Sequence, residues 1–430
     1  MPSSSWHAVV SEGALRGATE SMDSTFLDNG IQVLSERIPG VRSASVGVWV
    51  RQGSAHERDA EAGASHLLEH MVFKGTARRT AQEIALSLES LGGSLDAYTT
   101  REHTSYQARV LDRFLPQAVD VLADLVLAPL LRTDDLALER EVVLEEIAQV
   151  EDTPDDLVFD LHADHFWGGH PYGRPILGSA ESVAGMSAAT LRDIHSTRYT
   201  GRGLVVAAAG NVEHDEFVGR VAEFFGSVDA GAGPPEVSSS PEARVGEVRV
   251  PRDTAQAHLV FGGMGPSHAD PERYALILLD SALGGGMSSR LFQKVREEMG
   301  LCYSIFTFHS FYRSGGVAGV YVGTRPASAG RAADAVRSEL ERVVREGLPA
   351  DELAQIKQQV MGQVMLSLES TASRLYRLAS FALHGEELMG LDEFLARIDS
   401  VREEDILLVA SRYMDPAAQL LLRLGPDGDA

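Results

Sequence analysis

The segment His66-Leu67-Leu68-Glu69-His70 decides how this sequence is interpreted. In a helix its two histidines lie about one turn apart, and Glu69 shares their face. Two imidazoles at this spacing can reach one zinc ion at about 2.0–2.1 Å, and a neighbouring carboxylate can accept a proton from water. The flanking residues are apolar: Leu67, Leu68, Met71, Val72 and Phe73. They predict a buried helix whose polar side chains need partners, which favours a metal site over solvated histidines.

A catalytic zinc site takes three protein ligands and leaves one position open, so a third ligand is expected elsewhere in the chain. Glu139 and Glu146 lie seven residues apart on a helix predicted to start near Thr133. This spacing of two turns places both carboxylates on one helix face. Glu141 and Glu145 are expected to be solvated. Periodicity alone does not distinguish Glu139 from Glu146 as the ligand.

Composition narrows the functional classes. The chain has 430 residues, 44% of them hydrophobic, and a formal charge of −24. Such a surface repels phosphate backbones, which argues against nucleic acid as a partner, and it favours encounter with basic peptides. The single cysteine, Cys302, excludes an internal disulfide and a cysteine-based zinc site, and it is expected to be a small buried hydrophobe.

The location and the domain plan follow from the distribution of residue types. No secretory signal, transit peptide or membrane span is predicted, so we expect a cytoplasmic protein. A Gly/Pro/Ser-rich stretch at 229–242 predicts a linker between two halves that both mix helices and strands. The predicted domains are a flexible N-terminus (1–24), a zinc-binding domain (25–228), the linker (229–242), a second domain (243–425) and a tail (426–430).

Local patterns predict the elements of each half. In the first half we expect strands over 32–36 and 43–50, a helix from Thr80 to Gly92-Gly93, a strand over 95–110 and a helix over 114–127. In the second half the expected segments are strand over 254–262, helices over 275–283 and 290–299, strands over 303–322, and helices over 332–346 and 351–369. The similar element order suggests a duplicated domain.

The motif running from His66 to Thr76 resembles the active-site signature of the pitrilysin/insulinase family of inverted-motif zinc peptidases. Within that family the resemblance is strongest to the mitochondrial processing peptidase β-subunit and its bacterial homologues, and it covers nearly the whole chain. It implies that Glu146 is the third zinc ligand and that Glu139 supports the site by hydrogen bonding. It also implies structural roles for His162, His165 and His170, whose spacing alone could hold a metal.

The resemblance also implies a substrate site. Leu95, Asp96, Ala97, Tyr98 and Thr99 match the family's edge strand, to which a peptide adds as an extra strand. Many relatives have Asn where this chain has Asp96. In the second half, Gly284-Gly285-Gly286 resembles the family's glycine-rich loop, and Arg296 and Tyr303 match a pair that reaches across to the substrate. Both side chains are suitable donors to a carbonyl oxygen that becomes negative.

The expected fold is therefore α+β, with two homologous α/β-sandwich domains, each an antiparallel sheet backed by helices, arranged as a clam shell. We expect one Zn²⁺ per chain, extended peptide substrates with a bias toward basic ones, and a homodimer or heterodimer with a homologous chain around an acidic chamber. Glu69 would act as general base, assisted by Arg296 and Tyr303. An alternative class is a non-catalytic architectural subunit of the same fold, in which damaged zinc ligands are usual. A zinc carrier would leave Glu69 and the Arg/Tyr pair without a role.

Overall fold

A computed structural model of the chain describes residues 21–234, 236–237 and 242–426. The strands of these ranges are β1 (Ser21–Phe26), β2 (Gln32–Arg37), β3 (Ser43–Val50), β4 (Ser94–Thr99), β5 (Thr104–Leu111), β6 (Leu204–Gly210), β7 (Gly246–Pro251), β8 (Ala257–Gly265), β9 (Cys302–Phe311), β10 (Gly316–Thr324) and β11 (Leu420–Gly425). The helices are α1 (Ala64–Val72), α2 (Ala81–Glu89), α3 (Leu115–Leu127), α4 (Thr133–Glu151), α5 (Pro154–Trp167), α6 (Ala180–Gly185), α7 (Ala188–Arg198), α8 (His214–Phe225), α9 (Glu272–Gly284), α10 (Ala329–Glu346), α11 (Ala350–Ser367), α12 (Thr371–His384), α13 (Leu391–Ser400) and α14 (Glu403–Tyr413).

The two sheets have the same topology. The first has the strand order β1-β2-β6-β3-β5-β4 and the second β7-β11-β8-β10-β9. If β1 is left out, each sheet has five strands. Numbered one to five along the chain, they lie side by side in the order 1-5-2-4-3 in both sheets. The predicted duplication and the α+β class are confirmed. The sheets are mixed, however, because β2 pairs with β6 and β7 with β11 in parallel, whereas the expectation was antiparallel sheets. In the first half the last strand, β6, runs beside β2 in the same direction, as β11 runs beside β7 in the second half.

Strand β3 shows how the sequence pattern sorts residues between the two faces of the first sheet. Val46, Val48 and Val50 belong to the main core of the first half, together with α1 and α3. Trp49 points to the opposite face, where it joins a second apolar cluster. Both faces of this sheet are therefore covered, which explains why β3 is buried along almost its whole length.

The halves exchange one helix each. Leu375, Leu378, Ala379 and Ala382 of α12 pack on the outer face of the first sheet, although α12 belongs to the second half. Conversely, Leu157 and Val158 of α5 pack on β8, β10 and β11 of the second sheet. The predicted boundary at 229–242 separates the two sheets, but each sheet is completed by a helix from the other half.

Several predicted boundaries are corrected. The predicted flexible N-terminus ran to residue 24, but Ser21–Phe26 form β1; residues 1–20 lie outside the described part, as do 235, 238–241 and 427–430 of the linker and tail. The single strand expected over 95–110 is the hairpin of β4 and β5, whose turn spans 100–103. The helix expected over 290–299 is a π-helical segment, Phe292–Glu298. Among the described residues, no helix is long and apolar enough to cross a membrane.

Candidate metal centre and active site

Helix α1 carries the metal motif and is anchored on its apolar side. Leu67, Leu68, Met71 and Val72 are fully buried in the core of the first half. The spacing of the motif leaves His66, Glu69 and His70 on the partly exposed face, as the sequence predicted. The hydrophobic side therefore fixes the helix, and the polar side faces the space between α4 and β4.

The start of α1 is fixed by Glu57 and Gly63. The Glu57 carboxylate accepts hydrogen bonds from the backbone N–H groups of Gly63, at 2.8 Å, and Ser65, at 2.6 Å. These are donors that the helix leaves unpaired at its first turn. Gly63 has φ of +88°, and a side chain there would meet the Leu177 carbonyl. Burial raises the pKa of Glu57 to about 7.

His66 and His70 meet Glu146 of α4. The Nε2 atom of His66 lies 3.7 Å from Oε2 of Glu146, and Nε2 of His70 lies 3.8 Å from Oε1. One ligand atom from each of the three residues lies within 4.8 Å of the others. Two ligands at about 2.1 Å from a tetrahedral ion stand roughly 3.4 Å apart, so the three groups are spaced to share one ion.

Unpaired polar atoms at the same place support this interpretation. Oε2 of Glu146 is buried and has no hydrogen-bond partner among the described residues, and the contacts to both histidines are too long for hydrogen bonds. Burial and the neighbouring His70 lower the pKa of His66 to about 4, which keeps its imidazole neutral. Neutral imidazoles and a carboxylate form the donor set of a zinc or similar divalent site.

Glu139 holds the other side of His70. Its Oε2 lies 3.1 Å from Nδ1 of His70, and its side chain is only 8% exposed. A carboxylate oxygen accepts a hydrogen bond, so this contact assigns the imidazole proton to Nδ1 and leaves the Nε2 lone pair for a metal. The packing of α4 against α1 thus gives different contacts to the two glutamates that share a face of α4. Glu146 faces both Nε2 atoms, whereas Glu139 faces Nδ1.

Glu69 lies beside the cluster and contacts the edge strand. Its Oε2 accepts a 2.6 Å hydrogen bond from Oγ1 of Thr99, the last residue of β4. Burial raises the pKa of Glu69, and the bond from Thr99 opposes that rise. A carboxylate with a raised pKa beside candidate metal ligands is of the kind that can serve as a general base.

Strand β4 lies at the edge of the first sheet, as predicted, because it pairs only with β5 among the described strands. Leu95, Ala97 and Thr99 point toward the α1 side, while Asp96 is exposed on the other face. Tyr98 also points to that face, and its ring lies 5.9 Å from the ring of Tyr376 on the exchanged helix α12. The free edge of β4 therefore runs past the candidate metal ligands His66, His70 and Glu146.

Arg296 and Tyr303 lie in the second half and contact each other. The Arg296 guanidinium stands 5.2 Å from the centre of the Tyr303 ring and 4.5 Å from that of Phe292. The Tyr303 side chain is 77% exposed at the start of β9, which is the edge strand of the second sheet. The structure thus brings the predicted pair together, and among the described residues its ring and ion-pair contacts are with the second half.

One glycine of the glycine-rich segment 284–286 is needed for packing. Gly284 is buried at the end of α9, where a side chain would collide with the backbone nitrogen of Thr307 on β9. This close packing explains why a glycine is needed at position 284, and its role in substrate binding stays a prediction. Gly285 and Gly286 are exposed.

The competing histidines contact the backbone or neighbouring rings, and Cys302, which was expected to be buried, is half-buried. His162 is buried against Phe166 and lies 3.3 Å from the Leu420 carbonyl. His165 contacts the carbonyl one turn earlier, and His170 accepts from the Tyr172 N–H. In the described part of the chain, the residues grouped as a possible metal site are His66, His70 and Glu146 only. Burial raises the pKa of Cys302 to about 11, so its thiol stays protonated.

Sequence reasoning missed two contacts of the site. It included Thr99 in the substrate-binding strand but did not predict that its hydroxyl donates a hydrogen bond to Glu69. It also gave no role to Lys74, whose Nζ lies 2.5 Å from Oε1 of Glu139. Lys74 stands four residues after His70, a spacing that could have indicated a shared face.

Comparisons with known proteins agree with this geometry. Residues 32–180 match the family described as insulinase (peptidase family M16), and residues 185–360 match the peptidase M16 inactive domain. All residues of the metal cluster lie in the first range. The second match covers most of the other half.

Relatives of similar length show the same affiliation, and a solved structure shows the same fold. Proteins named uncharacterized zinc proteases match at 40% identity in Streptomyces coelicolor (90% of this chain, 86% of that protein) and at 38% in Bacillus subtilis (93% and 97%). A protease structure from Helicobacter pylori shares the fold, with a TM-score of 0.89 and 21% identity over 95% of this chain and 100% of that one. The chain therefore belongs to the insulinase, or M16, family of peptidases.

Proposed function

We propose that the protein is a zinc-dependent endopeptidase that hydrolyses extended peptides. The observation that carries the proposal is the convergence of His66, His70 and Glu146, with Glu69 beside them. When bound, zinc polarises the scissile carbonyl and lowers the pKa of a coordinated water toward about 7. The residues present provide the three protein ligands that such a centre needs.

The chain's own residues have distinct tasks in this proposal. Glu69 takes a proton from the attacking water and returns it to the leaving amine. Thr99 holds the Glu69 carboxylate through its 2.6 Å hydrogen bond. The free edge of β4 binds the peptide main chain, which gives affinity that depends little on sequence. Arg296 and Tyr303 steady the peptide and its developing oxyanion from the second half.

The wider assembly is also part of the proposal. We infer that two chains, identical or homologous, pair around a chamber whose acid-rich walls favour basic peptides, in keeping with the formal charge of −24. Light scattering of the purified protein tests the pairing. A monomeric mass that persists at micromolar concentration would contradict it.

An architectural subunit of the same fold remains the alternative class, and the family includes a domain described as inactive. The complete cluster argues against it, because a purely architectural chain has no need of His66, Glu69, His70 and Glu146 together. It also has no need for the Glu139 contact that orients His70. The two classes differ in a simple property, namely zinc-dependent turnover.

The test is hydrolysis of a quenched peptide library before chelation, after chelation and after zinc is restored. Glu69→Gln is expected to keep zinc and lose at least about 100-fold in turnover, because general-base catalysis contributes about 10²–10⁴-fold. Glu145→Gln is the matched control, since Glu145 is exposed next to Glu146 on the same helix. Stoichiometric zinc without cleavage would favour the architectural class, and unchanged turnover in Glu69→Gln would remove Glu69 from the mechanism.

A further inference from the structure

Lys74 forms an ion pair with the carboxylate oxygen of Glu139 that does not contact His70. Its Nζ lies 2.5 Å from Oε1 of Glu139, and Oε2 of the same carboxylate lies 3.1 Å from Nδ1 of His70. The Glu139 side chain is 8% exposed and that of Lys74 is 35% exposed. Glu139 therefore bridges the partly solvated ammonium group of Lys74 and the imidazole of His70, a candidate metal ligand.

Glu139 needs such a partner for two reasons. A carboxylate this deeply buried is strongly disfavoured as an anion unless it is paired and hydrogen-bonded. It also shares a face of α4 with Glu146, so a free oxygen on Glu139 could compete as a ligand. With Lys74 on one oxygen and His70 on the other, both oxygens of Glu139 have partners, and the side chain is held away from the position that Glu146 occupies.

The backbone of Lys74 is fixed at the same place. Its carbonyl accepts a 2.9 Å hydrogen bond from Nη2 of Arg132, the residue before α4. The next carbonyl, that of Gly75, accepts from the Leu130 N–H at 3.0 Å. The segment that follows α1 is therefore tied to the segment that precedes α4. Because α1 and α4 supply all three candidate ligands, Lys74 sits where the two helices are joined.

We propose that Lys74 is a positioning residue for the metal centre. Its ammonium group holds the Glu139 carboxylate in place as the partner of Nδ1 of His70, which orients His70 so that Nε2 faces His66 and Glu146. This inference rests on the proposed function only in taking zinc as the metal. It concerns the affinity of the centre for the ion and not the chemistry of peptide cleavage.

The test is zinc affinity, measured by competition with a chromophoric chelator on the full-length protein. Lys74→Met is expected to weaken zinc binding about 10-fold or more, since loss of a partner that orients a ligand costs about 10–100-fold in affinity. Lys74→Arg should recover most of the loss because it restores a cation at Oε1. Lys294→Met is the matched control, because Lys294 lies in the second half of the chain and makes an exposed ion pair with Glu298.

A double-mutant cycle separates positioning from a general effect on folding. Glu139→Gln removes the carboxylate through which Lys74 acts, so adding Lys74→Met to it should cause little further loss of zinc affinity. Equal losses in the wild-type and Glu139→Gln backgrounds would overturn the proposal, as would unchanged affinity in Lys74→Met. Thermal unfolding of the metal-free variants identifies any loss that comes from misfolding, and Lys74→Arg then carries the test. Tight zinc binding by a wild-type protein that cleaves nothing would refute the proposed function and leave this inference intact.

Discussion

Leu378→Ala tests the exchange of helices between the halves. Leu378 lies on α12 of the second half, is fully buried, and packs with Leu34, Trp49 and Val205 of the first sheet. The substitution removes three carbon groups at about 0.8 kcal/mol each and leaves a cavity, so the free energy of unfolding should fall by about 3–4 kcal/mol. The cost should appear in the stability of the first half, although the mutated residue belongs to the second.

The assay is urea unfolding of the metal-free protein, monitored by circular dichroism and by tryptophan fluorescence. Trp49, which belongs to the same apolar cluster as Leu378, contributes to the fluorescence signal. Leu366→Ala is the control, because Leu366 lies on the preceding helix α11 and is 75% exposed. Its cost should be within about 0.5 kcal/mol. The reasoning fails if the two variants cost the same, or if Leu378→Ala shifts an unfolding transition in which Trp49 takes no part.

Two further predictions concern Thr99, which contacts Glu69, and Glu57, which contacts the start of α1. Thr99→Val should lower kcat/KM by roughly 10- to 100-fold, because a hydrogen bond to a charged group is worth about 1.5–3 kcal/mol, while zinc affinity stays unchanged. The acid limb of its pH–rate profile should move to higher pH, because the lost bond had lowered the pKa of Glu69; an unmoved limb would contradict the Thr99 contact. Glu57→Gln should remove a pH dependence of stability. Burial raises the pKa of Glu57 from 4.5 to about 7, so the folded state holds this proton more tightly and its contribution is lost as the pH rises through that window. Relative to the variant, the wild type should lose roughly 3 kcal/mol between pH 4.5 and 8 in urea unfolding, and parallel curves would refute the assignment.

The local pattern determined the parts of the site that lie on one element. The four-residue spacing of His66 and His70, with apolar residues on the opposite side, was sufficient to predict α1 and the orientation of its polar face. Likewise, the two-residue period of β3 places Val46, Val48 and Val50 on one face of the strand, which is the face that packs on the core. These features depend on helix and strand periodicity, which is a property of the chain itself.

Contacts between elements required the tertiary structure. Glu139 and Glu146 are equivalent by spacing, and only the packing of α4 against α1 places Glu146 at both Nε2 atoms and Glu139 at Nδ1. The apolar faces of α5 and α12 were compatible with either sheet, because hydrophobic burial has no direction that specifies a partner. Thr99 and Lys74 acquired their roles in the same way, from side chains that meet only when strand, helix and loop are assembled.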